Sequence, residues 1–161
     1  MALWRRRSSE FLGPEAEARL LAAIRRAEAR TSGEIRVHVD ARCKGDPLQA
    51  ARRQFVRLGM SATALRNGVL FYVAPRERKF AILGDEEIHR HVGEAFWNSL
   101  RDLLSASFAA GKFADGLAEA IDAVGEELAR AFPRQEGDVN ELPDVISRSE
   151  RESDERESEA P

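Results

Sequence analysis

Cysteine is nearly missing from this chain: among 161 residues only Cys43 occurs. A lone thiol excludes an internal disulfide and any metal centre built on several cysteines, and it suits a reducing cytoplasm. No run of about 18 apolar residues occurs, so no membrane-spanning helix is expected. The arginines at Arg5, Arg6 and Arg7 are not followed by an apolar stretch, so a secretory signal is not expected either. Catalytic fingerprints are missing as well. There is no G-x-G-x-x-G turn, no Walker loop and no G-x-S-x-G elbow. A phosphatase loop on Cys43 would need arginine where Gln49 stands, so Cys43 reads as a half-buried loop residue. His89 and His91 are two apart and diverge on a helix, which argues against a shared metal. His38 reads as a partly covered residue on a strand's polar face. No nucleophile–base pair can be named, so any chemistry would be metal-assisted hydrolysis by carboxylates and water.

Charge is unevenly spread. Residues 134–161 hold four Arg against ten Asp or Glu, a net of −6, which leaves +3 on the preceding residues against the chain's −3. That surplus is small and comes without an aromatic-basic repeat, so nucleic acid is not an expected partner. The hydrophobic share of 43% fits a globular domain with a core of its own.

Residues 1–13 read as an N-terminal arm, 14–133 as one domain, and 134–161 as an acidic tail. The tail has no apolar periodicity from Ser147 onward and is expected to be disordered. Within the domain, Gly13-Pro14-Glu15 opens a helix with Leu20, Leu21, Ile24 and Ala27 at helical spacing. Glu34 to Asp40 alternates as a half-buried strand. Asp46-Pro47 caps a helix over 47–59. Val69 to Ala74 is a continuous apolar run, as in a strand covered on both faces. Pro75 to Arg78 turns the chain, and Lys79 to Gly84 returns it. Two helical stripes follow, Phe96 to Phe108 and Phe113 to Leu128, parted by Gly111.

This order predicts an α/β fold: an α/β/α sandwich around a small mixed sheet, with a parallel βαβ unit, an antiparallel hairpin strand and C-terminal helices. The topology gathers Thr31 to Glu34, Arg66 to Gly68 and Gly84 to Glu87 on one sheet edge. Carboxylates of Glu34, Asp85, Glu86 and Glu87 with the Asn67 amide can coordinate calcium or magnesium there. Arg66, with Ser32 and backbone amides, can instead hold a phosphate. The plainer reading is that Ser32 and Asp85 cap turns or helices and Arg66 pairs with Glu34 or Asp85. The opposite edge, beyond the carboxyl ends of the parallel strands, carries Asp40, Arg42, Lys44, Asp46 and Arg76.

Thr31-Ser-Gly-Glu-Ile-Arg-Val37, Phe55-Val-Arg-Leu-Gly59, Arg66-Asn-Gly-Val-Leu-Phe-Tyr-Val-Ala74, Arg78-Lys-Phe-Ala-Ile-Leu-Gly-Asp85 and Phe108-Ala-Ala-Gly-Lys-Phe-Ala-Asp-Gly116 occur in this order. From about residue 14 to 132 the chain resembles the TPM-domain family, in its short stand-alone bacterial branch. The resemblance implies an α/β/α sandwich. It also implies a binding or accessory role in membrane or protein-complex maintenance, with a weak metal-dependent acid phosphatase as the alternative. The family includes plant thylakoid-lumen proteins of photosystem repair and animal membrane proteins that modulate receptors. Phosphatase activity and divalent-cation binding are associated with some members. The expected partner is therefore a protein, one associated with a membrane, and the expected location is the cytoplasm or the periphery of the inner membrane. The chain departs from the longer branch by lacking its signal and membrane-spanning tail. Arg66 replaces the first Asn of Asn-Asn-Gly, and Gly84-Asp-Glu-Glu-Ile88 replaces Gly-Tyr-Gly-Leu-Glu.

Overall fold

The computed structural model describes residues 12–135, 137 and 146–149. The arm up to residue 11, and the tail at 136, 138–145 and 150–161, lie outside the described residues. Helix α1 (Pro14–Glu28) opens on proline, whose fixed φ suits the first helical position. Glu15 and Glu17 in its first turn and Arg25 and Arg26 in its last complement the helix dipole. Strand β1 (Glu34–Asp40) leads to helix α2 (Pro47–Arg57), where Asp46 caps the Leu48 amide at 3.0 Å. Strand β2 (Gly68–Ala74) is buried throughout, as its unbroken apolar run requires. A single tight turn at Pro75–Glu77 returns the chain as β3 (Lys79–Gly84). Helices α3 (Glu86–Val92), α4 (Glu94–Ala109) and α5 (Phe113–Ala131) follow.

The sheet order is β3-β2-β1-β4. Strands β1 and β2 are parallel with Glu34 opposite Gly68, and β3 is antiparallel with Gly84 opposite Val69. Strand β4 (Ile146–Ser149) runs parallel to β1 on its free side. The sequence reading has three strands and counts Ser147 onward as disordered; in the described residues, Ile146–Ser149 is instead ordered as the fourth strand. Its polar side chains give no apolar alternation. It is held by the backbone ladder to β1, by two hydroxyl contacts to His38, by Ile146 in the core and by a bidentate pair from Arg148 to Glu17 of α1.

Alternation of side chains across the sheet makes two layers. Ile35, Val37, Val39, Val69, Phe71, Val73 and Ile82 face α1, α4 and α5 in the main core. Leu70, Tyr72, Ala74 and Ala81 face α2 in two smaller clusters, one of which contains Cys43. Each fully buried Val, Leu or Phe contributes roughly 1.5–3 kcal/mol. Close approach fixes the α1–α5 seam: a Cβ on Gly125 would sit 2.6 Å from the Ala27 methyl.

Burial corrects two readings. Strand β1 is covered on both faces rather than half-buried, with Arg36 and His38 on its polar face both enclosed. Cys43 is fully rather than half buried, beside Tyr72 and Ala51.

Candidate functional site

The strand register brings the expected edge together. The Asp85 amide donates to Gly68 O at 2.8 Å, and the Glu87 amide donates to Arg66 O at 3.1 Å. The hairpin end is thereby stitched to the loop before β2. Buried Asn67 reaches Ser32, its Nδ2 lying 3.4 Å from the serine Oγ. Glu34 is buried at the start of β1.

The charges at this edge are largely spent on the fold. Asp85 is 8% exposed and caps α3, its Oδ1 accepting from the Glu86 amide at 2.7 Å. Its Oδ2 accepts from Arg66 Nε at 3.2 Å. Arg66 holds a left-handed backbone, with φ of 53°, and its side chain is half exposed. Glu86 and Glu87 turn along the helix to Arg90, each at 3.8 Å, in the weak i,i+4 and i,i+3 pairs of an exposed helix face.

Glu34 and Asp85 do not converge. They flank Gly68 in the sheet, two strand spacings or roughly 9–10 Å apart at the backbone. The space over Gly68 is filled: a Cβ there would meet Met60 Cε at 3.3 Å and Phe55 Cζ at 3.7 Å. Among the described residues no group of three or more His, Cys, Asp or Glu is arranged to hold a metal ion. As built, a calcium or magnesium ion at Asp85 would compete with the Arg66 guanidinium and the α3 amide for its oxygens.

Two more residues lock this edge: Glu28, which sequence reasoning missed, and Thr31, which it placed here without a role. Glu28, buried at the end of α1, accepts from the Ile35 amide at 2.9 Å. Buried Thr31 donates to Leu128 O at 3.1 Å and accepts from the Gly33 amide at 3.0 Å. Both tie the loop before β1 to the helical layer. A polar residue in the last turn of an amphipathic helix gives no local sign of such a role.

The other edge is also cross-linked. Lys79 Nζ donates to the carbonyls of Cys43 and Gly45, at 3.2 and 2.9 Å, and Glu77 accepts from the Cys43 amide at 3.2 Å. The buried Tyr72 hydroxyl donates to Asp40 at 2.6 Å. Burial, then the Asp40 carboxylate, pushes the phenol far above its ordinary value, because neither tolerates a phenolate. His38 bridges to β4, with Nδ1 2.7 Å from Ser147 Oγ and Nε2 2.8 Å from Ser149 Oγ. The Ser147 hydroxyl donates to Val37 O at 3.3 Å, so it accepts from Nδ1–H, and Nε2 accepts from Ser149.

A four-stranded open sheet with four helices (α1, α3, α4 and α5) on one face, α2 on the other, and a clasped polar edge defines a small α/β sandwich domain. The TPM domain profile matches residues 6–127. The chain belongs to the TPM-domain family. The NMR structure of BA42 protein from the psychrophilic bacterium Bizionia argentinensis is similar, at 41% identity and a TM-score of 0.79, over 86% of this chain and 96% of that one. The N-terminal domain of cg2496 protein from Corynebacterium glutamicum shares the fold, at 16% identity and a TM-score of 0.59 over 80% of each chain. No curated protein matches the chain by sequence. No helix among the described residues is long and apolar enough to cross a membrane.

Proposed function

We propose that this TPM domain is a binding or accessory module for the maintenance of a membrane or protein complex. One observation carries the reading: both Asp85 carboxylate oxygens are engaged by the fold, one by the α3 cap and one by Arg66. The acidic residue that the family signature delivers to the edge is thus used as a clasp. A chromogenic phosphomonoester assay, with and without magnesium or calcium, tests this against the phosphatase alternative. The expected result is no turnover above buffer. Metal-dependent turnover that disappears in Asp85→Asn, with the variant still folded, would overturn the proposal.

A divalent cation is a second reading, favoured by the half-exposed position of the Arg66 side chain. A cation at Asp85 would have to displace that guanidinium. NMR titration with calcium and magnesium decides it. Saturable shifts confined to residues 32–34, 66–68 and 84–88 support a cation there, and unchanged spectra remove it.

A further inference from the structure

We propose that the outer edge of β1 is an acceptor groove for an extended peptide of the pattern branched apolar, hydroxyl, basic, hydroxyl, and that a segment of a partner protein enters it by displacing the chain's own β4. The proposal rests on the reading of this domain as a binding module and names the chemistry of what it binds.

Strand β4 is set apart from the domain it completes. The TPM profile matches residues 6–127, and β4 lies beyond it at Ile146–Ser149. Without β4 the sheet ends at β1, whose Ile35, Val37 and Val39 belong to the main core. An open edge of that kind offers its backbone groups to an extended segment, the chemistry of strand addition. β4 meets the edge in parallel, from Ile146 opposite Val37 to Ser149 opposite Asp40, and the Ala41 amide donates to Ser149 O at 2.7 Å.

Alternate side chains of β4 are read on opposite faces of the sheet. On the main-core face, Ile146 is buried and the Arg148 guanidinium donates twice to Glu17 of α1, at 2.9 and 3.3 Å. On the α2 face, the His38 ring lies between two hydroxyls, 2.7 Å from Ser147 Oγ and 2.8 Å from Ser149 Oγ. An apolar socket, a carboxylate and an imidazole bridge thus select the side chains, while the backbone ladder supplies affinity.

The resident strand fills this groove incompletely. Arg148 Nε is enclosed with no hydrogen-bond acceptor among the described residues, an unmet donor that weakens the strand's hold. β4 is also short, four residues with one apolar side chain, so it opens more readily than the core strands. Its advantage is its tether: residues 132–145 join it to α5 and raise its effective concentration at the edge. A partner segment competes with that tether rather than with a deep interface.

The test is an NMR titration of the full chain, and of its variant Ile146→Asp with Arg148→Glu, with a peptide spanning residues 143–151. In the variant, whose own strand is unseated, the peptide is expected to shift the amides of Val37 to Ala41 saturably. It should bind the parent chain at least tenfold more weakly, because the tethered strand competes. A scrambled peptide should also bind the variant at least tenfold more weakly. Adding Glu17→Arg to the variant should weaken the peptide at least tenfold, and a peptide carrying Arg148→Glu should recover the loss. Should the double variant unfold, Arg148→Glu alone takes its place.

No saturable shift at β1 in the folded variant would overturn the proposal. So would equal affinity for the parent chain or for the scrambled peptide, or indifference to the charge exchange. Concentration-dependent dimers of the parent chain would assign the groove to the tail of a second copy and overturn a partner segment. Phosphatase turnover would remove the binding-module reading without altering these titrations, so the two readings fail separately.

Discussion

Replacing Asp85 separates a structural clasp from a reactive carboxylate. Asp85→Ala removes the α3 cap, a loss of about 0.5–2 kcal/mol. It also removes the partner of Arg66. That side chain is half exposed and water takes over its solvation, so the ion pair adds less than about 1 kcal/mol. The two losses together come to roughly 0.5–3 kcal/mol. Asp85→Asn keeps an acceptor of the same shape at the cap and loses only the charge, so it should cost under about 1 kcal/mol. Arg66→Ala loses the same pair but relieves a left-handed backbone only slightly, and should cost under about 1 kcal/mol as well. Urea unfolding at constant m measures all three. The expected order is Ala well below Asn, with Asn close to the wild type and Arg66→Ala beside it. If Asn proved as damaging as Ala, the carboxylate charge would matter more than the cap and the clasp would be misassigned. If Ala proved neutral, the edge would not be structural at all.

Three further outcomes follow from the same geometry. Tyr72 is the chain's single tyrosine, and its folded-state pKa lies above the ordinary 10.0. The stability it contributes is full below pH 10.0 and is lost as pH rises beyond it, by about 1.4 kcal/mol per pH unit, because only the unfolded phenol ionises. Phenolate absorbance should appear together with unfolding; a phenolate signal in the folded chain near pH 10.0 would contradict the burial. Gly125→Ala forces a methyl against Ala27, and its overpacking of about 1–3 kcal/mol exceeds the helix-propensity gain of about 1 kcal/mol. Calorimetry should show a lower melting temperature that Ala27→Gly partly restores in the double variant. His38→Leu removes a partner of the Ser147 and Ser149 hydroxyls at a cost of about 1–3 kcal/mol, and should speed amide exchange across Ile146–Ser149; unchanged exchange would mean the ladder and the Arg148–Glu17 pair hold β4 without it.

Much of the fold was legible because its signals are local. The apolar run Val69 to Ala74, the turn at Pro75 to Arg78 and the two helical stripes each announce one element, and chain order then dictates the sheet. Strand β4 gave no such signal. It has one buried apolar residue, Ile146, and its other determinants, His38 and the free side of β1, are more than 100 residues away in sequence. The candidate edge was half legible for a related reason. Topology could say that Glu34, Arg66, Asn67 and Asp85 share an end of the sheet. It could not say that Met60 and Phe55 close the space over Gly68, because that depends on how the segment after α2 packs.

Both ends of the sheet are cross-linked by the fold's own side chains. At the clasped end, each acidic side chain that the hairpin delivers meets a donor from its own fold, so a ligand must first displace an internal partner. At the other end, Lys79 and Glu77 fasten the start of β3 and its turn to the loop that carries Cys43, and Asp40 holds the Tyr72 hydroxyl. Binding free energy is a difference between states, so a ligand at either end must offset the internal contacts it breaks. Arg66, Asn67 and Asp85, which belong to the signature that identifies the family, are therefore engaged first by the fold itself, and any ligand at the clasped edge competes with those internal contacts.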